Sequence, residues 1–317
     1  MFEFESDYDN HPVFKHNEVF LETAPFTELK NKLHQWLWTG ATGGVILGSA
    51  RSGKSMACEQ LATKPLLWTR GNIAIPTYYL SIAKRDKPTI RAIFRLLCSR
   101  YSLRTAPTDR TDDLSDRFIH YLTDGAAQAQ CSRVVLIVDE MQRLTMEQFG
   151  PFTELYDRLR LLGLSLLVVF VGNEQESNKT LRMITHSEYA HLRGRFFIHG
   201  HHFSGLRTRE DVEQCLAQYD RLRYPDEGPT YTEFFVPEAF RTGWRLASLS
   251  GILWRVFRQY QKNYQIPDWG MQYFASTVSV LLRDYLSKNR VELCDEDMID
   301  ACFQVSGLVA SPVLAVK

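Results

Sequence analysis

Residues Val45 to Ser55 read VILGSARSGKS: three apolar residues, a glycine, four residues, and then Gly53-Lys54-Ser55. The spacing predicts a buried strand that breaks into a tight loop and re-enters a helix over Met56 to Ala62. A loop built from Gly48, Ser49, Ala50, Arg51, Ser52 and Gly53 turns consecutive backbone N–H groups inward around an anion, with glycines where a side chain would obstruct the turn. Lys54 is then placed to reach the β and γ phosphates of a nucleotide. Ser55 offers a hydroxyl to Mg²⁺ at a helix N-terminus, which favours negative charge.

Working outward, Arg133 to Glu140 read RVVLIVDE. Five consecutive apolar residues ending in two carboxylates predict a parallel strand buried on both faces, with Asp139 and Glu140 at its C-terminal edge. Ligands of open α/β sheets bind at that edge. Asp139 is the candidate Mg²⁺ holder, directly or through water, and Glu140 the candidate base that polarises an attacking water. A third apolar run, Leu164 to Val171 (LSLLVVFV), closes on Gly172-Asn173 and brings a polar amide to the same edge.

With these residues in place the core resembles an AAA+ ATPase, and DEMQRL (Asp139 to Leu144) with VGNEQ (Val171 to Gln175) resembles the TnsC/TniB branch, whose members regulate DNA transposition. The resemblance runs from the helix near Glu28 to the strand near Phe203, and more weakly beyond. It implies an αβα core with a five-stranded parallel sheet and a helical lid, ATP and Mg²⁺ as cofactors, and Asn173 as first sensor. It also implies an arginine just before the last core strand that acts on a neighbouring subunit's nucleotide. Within HLRGRFFIHGHHF (His191 to Phe203) Arg195 fits that place, and Arg193 is the alternative. For the lid's second sensor, Arg255 in SLSGILWRVFR stands one residue later than the common spacing, with Arg245 as second choice.

The basic residues Lys84, Arg85, Lys87 and Arg91 follow the second strand, where TnsC-like proteins track double-stranded DNA, and Thr108 and Thr111 could add neutral phosphate contacts. By resemblance the partners are double-stranded DNA, further copies of the chain in a ring or filament, a transposase and a TniQ-like targeting factor. Two alternatives stay open: another AAA+ or related nucleotide switch, such as a helicase loader, an origin-recognition protein or a defence NTPase, and a nucleotide-gated scaffold without turnover.

The chain has 37 basic and 37 acidic residues, which excludes a broadly basic nucleic-acid binder and confines any DNA contact to local clusters. Its six cysteines are scattered without CxxC spacing, so reduced core thiols are expected rather than disulfides or zinc ligands. No apolar run approaches the length of a membrane span and the N-terminus MFEFESDYDN is acidic, so a cytoplasmic protein is expected. His199 and His201 fall on one strand face beside His202, a pattern that packed or solvated histidines explain better than a metal site.

The predicted organisation is an arm over 1–25, a nucleotide-binding core over 26–205, a helical lid over 206–306 and a tail over 307–317. The core should open with an amphipathic helix, FTELKNKLHQWLW, capped by Thr27, with Leu29, Leu33, Trp36 and Leu37 on its buried face. Trp36 and Trp38 both read as packing residues. Strands are expected to start near Val45, Pro76, Arg133, Leu164 and Arg195.

Overall fold

The computed structural model describes residues 10–15, 18–64, 73–84, 88–288 and 290–309. They form two compact units. The sheet unit comprises Glu28–Ser49 and Lys54–Phe203; the helical unit comprises residues up to Thr27, Ala50–Gly53 and Ser204 onward.

In the sheet unit, β1 (Gly43–Gly48), β2 (Thr77–Ser81), β3 (Arg133–Asp139), β4 (Ser165–Asn173) and β5 (Gly200–His202) form one sheet in the order β2-β3-β4-β1-β5. Every pairing is parallel. Parallel strands need crossover connections, so the C-terminal ends of all five point to one edge. Val134 to Val138 on β3 and Val168 to Val171 on β4 have no exposed surface. Burial on both faces is why these strands read as unbroken apolar runs.

Helix α1 (Ala24–Trp38) leads into β1 and α2 (Lys54–Thr63) follows it. Next come α3 (Ile90–Arg100) and α4 (Thr111–Gln128), both before β3, α5 (Gly150–Leu161) before β4, and α6 (Glu174–Ile184) and α7 (Ala190–Phe196) before β5.

Several expectations need correction. Helix α1 starts at Ala24, four residues earlier than a Thr27 cap implies, and Thr23 Oγ1 rather than Thr27 accepts a first-turn N–H, from Phe26 at 3.2 Å. Leu29, Leu33, Trp36 and Leu37 are buried as expected, and Trp36 packs so closely on Gly44 that a Cβ there would lie 2.5 Å from its ring. Trp38, by contrast, is 72% exposed. The last strand starts at Gly200, not at Arg195, because Leu192 and Phe196 lie four residues apart and bury together as one face of α7.

The helical unit contains α8 (Arg209–Tyr219), α9 (Tyr231–Phe235), α10 (Pro237–Arg241), α11 (Ser250–Tyr264), α12 (Met271–Val280), continued by a π-helical turn over Leu281–Leu286, and α13 (Glu296–Ser306). Its core is aromatic. Trp269 is wholly buried, stacked on Phe257 at 5.0 Å and on Phe303 at 4.7 Å between ring centres. Val13 and Leu21 from the N-terminal segment join this core, and buried His11 lies among Phe14, Tyr224, Tyr231, Phe234 and Phe235. No helix among the described residues is long and apolar enough to cross a membrane.

Candidate nucleotide site

β1 ends at Gly48, directly beside Asn173 in the register with β4. A Cβ on Gly48 would lie 2.1 Å from the carbonyl oxygen of Phe203, so only glycine fits where the chain leaves the sheet. The loop then passes through Arg51 at φ 60° and Gly53 at φ 100° and closes into α2. Lys54 opens that helix and is buried; its ammonium donates to Gly48 O at 2.9 Å and also to Ser49 O. These carbonyls hold the cation at the strand end, where phosphate oxygens can exchange for them. Ser52 is fully buried, Ser49 half-buried, and Ala50 and Ser55 are exposed.

Asp139 ends β3 almost wholly buried. Its Oδ1 accepts the Glu140 N–H at 2.8 Å and its Oδ2 the Tyr79 hydroxyl at 2.7 Å. Burial and the neighbouring Asp139 charge hold the Tyr79 phenol well above its ordinary pKa, so it stays a donor. Burial also raises Cys58 on α2, and its thiol is influenced by Asp139 in the same direction and by Lys54 in the opposite one. The three side chains therefore share one neighbourhood.

Glu140 follows at φ 62°, a left-handed conformation uncommon for a residue other than glycine. Its carboxylate pairs with Arg143 at 3.1 Å and accepts Gln142 Nε2 at 2.8 Å. Partial burial raises its pKa, with Asp139 and Glu176 adding to the rise and Arg143 and Lys54 opposing it. Gln142 also accepts the backbone N–H of Asn173 at 3.4 Å, so one amide links the two strand ends. Asn173 Oδ1 caps α6, accepting from Gln175 N at 2.9 Å and Glu176 N at 3.2 Å.

Lys54, Asp139, Glu140 and Asn173 thus gather at one edge of the sheet. The donor set suits Mg²⁺ with a nucleotide: a carboxylate and a hydroxyl are hard oxygen ligands, and burial holds the nearby Cys58 as a thiol. The Lys54 cation on α2 and the carboxylates of Asp139, at the end of β3, and Glu140, just beyond it, come from different elements, as phosphate binding and water activation require.

Other expected residues have different partners. Arg195 lies on α7, paired with Asp157 at 3.0 Å and set over the Tyr156 ring at 5.0 Å. Arg193 donates to Thr185 O at 2.7 Å. Within the helical unit, Arg255 pairs with Glu296 at 2.6 Å, while Arg245 lies 3.8 Å over Phe240 and donates to the Phe240 and Trp244 carbonyls. The residues that meet loop residues 50–53 are instead Gly270 to Tyr273 at the start of α12. Gln272 N donates to Arg51 O at 3.3 Å, Met271 lies against Gly53, and Tyr273 receives the Arg51 guanidinium at 5.2 Å.

Of the basic cluster, Lys84 is exposed just beyond β2, and Arg91 on α3 donates to Pro107 O at 2.6 Å. Arg85 and Lys87 lie outside the described residues. Thr108 is exposed in the turn before α4, and Thr111 begins that helix. Sequence reasoning missed Tyr79, Gln142 and Gly270–Tyr273. A polar ring two places before the end of β2 was the only available signal for Tyr79.

The family model described as AAA domain matches residues 39–181. No curated protein matches the chain. Among solved structures it is similar to the Walker-type ATPase PABY2304 of Pyrococcus abyssi, with 16% identity, 94% of this chain and 92% of that one covered, and a TM-score of 0.43. It is also similar to C. elegans PCH-2, with 13% identity, 96% and 72% covered, and a TM-score of 0.44. A third similarity is to the Aeropyrum pernix ORC1 protein in complex with DNA, with 12% identity, 80% and 63% covered, and a TM-score of 0.39. The parallel five-stranded sheet with flanking helices has the AAA+ fold.

Proposed function

We propose that the chain is an Mg²⁺-dependent ATPase in which Lys54 binds the β and γ phosphates, Ser55 and Asp139 hold Mg²⁺, and Glu140 takes the proton of the attacking water. The observation that carries this reading is the convergence of Lys54, Asp139 and Glu140 at one sheet edge, with Glu140 raised in pKa by its partly buried setting. Mg²⁺, when bound, supplies charge neutralisation of the phosphates. Asn173 and Gln142 orient the groups around the γ phosphate. Arg195 serves a neighbouring copy's nucleotide once it leaves Asp157, with Arg193 as the alternative; Arg255 and Arg245 remain the lid candidates. The test is nucleotide binding and phosphate release by the wild type and Lys54→Ala. Loss of a charge-assisted contact should weaken ATP binding roughly ten- to a hundredfold; equal binding by the two proteins overturns the assignment.

The finer reading is an ATP-dependent regulator of DNA transposition that assembles on double-stranded DNA and links a TniQ-like targeting factor to a transposase. It is supported by the DEMQRL and VGNEQ segments, and the contact between Gln142 and Asn173 gives them a shared physical role. Lys84, Arg85, Lys87 and Arg91, with Thr108 and Thr111, are the proposed DNA contacts. Replacing Lys84 and Arg85 by Ala should weaken ATP-dependent duplex binding and reduce its salt slope by about one unit per lost phosphate contact. Wild-type protein without ATP-dependent DNA affinity in fluorescence anisotropy would remove the transposition reading and leave a nucleotide switch.

A further inference from the structure

Asp139 is held by two donors from different directions. The Glu140 N–H fixes Oδ1 from within the same turn, and the Tyr79 hydroxyl fixes Oδ2 from the adjacent strand. An ionised carboxylate has about four acceptor positions on its two oxygens, so roughly two remain for a metal or a metal-bound water. Tyr79 lies two residues before Ser81, the residue opposite Asp139 in the β2–β3 register, and reaches along the strand to make its contact. Its own place is fixed as well. The Tyr101 hydroxyl accepts the Tyr79 N–H at 2.7 Å and donates to the Tyr79 carbonyl at 3.1 Å, and the Tyr79 ring lies 5.9 Å from the Arg100 guanidinium. A residue needed only to fill space would not have to end in a hydroxyl aimed at the one carboxylate that closes β3.

We infer that Tyr79 is a positioning residue that fixes the plane of the Asp139 carboxylate and so sets how tightly the site couples Mg²⁺ to nucleotide. This rests on the ATPase reading above. Partners of metal-binding carboxylates typically contribute ten- to a hundredfold in metal affinity by restricting the ligand to a productive orientation. Without the phenol, Asp139 Oδ2 is free to rotate or to accept another donor, and each bound geometry must first be selected from several.

The test uses full-length protein and a fluorescent ATP analogue, titrated with Mg²⁺. In wild type, Mg²⁺ should tighten analogue binding. Tyr79→Phe should bind the analogue as wild type does in EDTA, while the Mg²⁺ concentration giving half of the tightening rises about tenfold. Tyr78→Phe loses the same atom from the neighbouring residue, which points to the opposite face of β2, and should keep the wild-type midpoint. In an Asp139→Asn background, Tyr79→Phe should add no further shift. Should Tyr79→Phe not fold, Tyr79→Met gives the same reading, because an unbranched side chain adapts to the space and offers no donor.

An unchanged midpoint in Tyr79→Phe overturns the inference, as does an equal shift in Tyr78→Phe or a fully additive effect with Asp139→Asn. If wild type shows no Mg²⁺-dependent tightening at all, the ATPase reading itself fails. That outcome is distinguishable, because it appears before any variant is compared.

Discussion

The C-terminal edge of the sheet and the helical unit use their charged side chains differently. At the sheet edge, Lys54 is held by backbone carbonyls, Asp139 takes one donor on each oxygen, and Glu140 beside it takes Gln142 and Arg143. In the helical unit Arg255 is neutralised by Glu296, Arg245 lies over Phe240, and Asp220 caps the backbone N–H groups of Leu246 and Ala247 at 3.0 and 3.2 Å. A parallel sheet collects its strand ends in one place, so polar residues there meet across long sequence distances. In the helical unit Arg255 and Arg245 each have a neighbour of their own. Ligand chemistry follows from the first arrangement and stability from the second.

The strongest challenge to that contrast is Glu140→Gln, which keeps the shape and removes the base. Phosphate release should fall about 10²- to 10⁴-fold while nucleotide binding persists. Undiminished release would show that the strand-end carboxylate is no more a working group than the helical arginines. Next in size is Trp269→Ala in the helical core, which should lower stability by about 3–5 kcal/mol in urea unfolding, since it empties the space between Phe257, Phe274 and Phe303. A loss below about 1 kcal/mol would mean that this aromatic stack does not organise the unit.

His11 sharpens the comparison through pH. Burial lowers its pKa from 6.5 to about 4, and the titratable groups beside it are the phenols of Tyr224 and Tyr231. The folded chain keeps His11 neutral where the unfolded chain protonates it. Its burial therefore contributes fully above pH 6.5 and loses that contribution as pH falls toward about 4. Melting temperature should fall across that window, and His11→Phe should flatten part of the fall; parallel curves for the two proteins would show that His11 does not titrate on unfolding. The smallest expected effect is that of Arg255→Ala. Arg255 is 66% exposed, so losing its ion pair should change stability by less than about 1 kcal/mol in urea unfolding. A large loss of release would make Arg255 the lid sensor and narrow the difference between the units.

The strands that carry the site were legible because each is a run buried on both faces and ends in a distinctive residue. Val134 to Val138 before Asp139-Glu140 leave no competing period, and the start of β3 falls where the pattern predicts it. The fifth strand was less legible. In HLRGRFFIHGHHF the apolar residues satisfy a helix as well as a strand, and the burial of Leu192 with Phe196 decides for the helix. Tyr79 was barely legible, a polar ring near a strand end, since its contact depends on the register between β2 and β3. The Arg255 partner lies 41 residues away on a different helix, a pairing that spacing cannot reveal. For α1, two threonines stood four residues apart, and the pattern alone favoured the wrong one.

The hydroxyl of Tyr101 has a consequence beyond holding Tyr79 in place. β2 is the outermost strand on its side of the sheet, and an outermost strand offers free backbone donors and acceptors to any extended chain. At Tyr79 both are taken by one side-chain oxygen. A second polypeptide that tried to zip onto β2 would have to evict a tyrosine first. This contact opposes extension of the sheet through that rim, and so blunts one route by which a parallel sheet would otherwise grow into an aggregate.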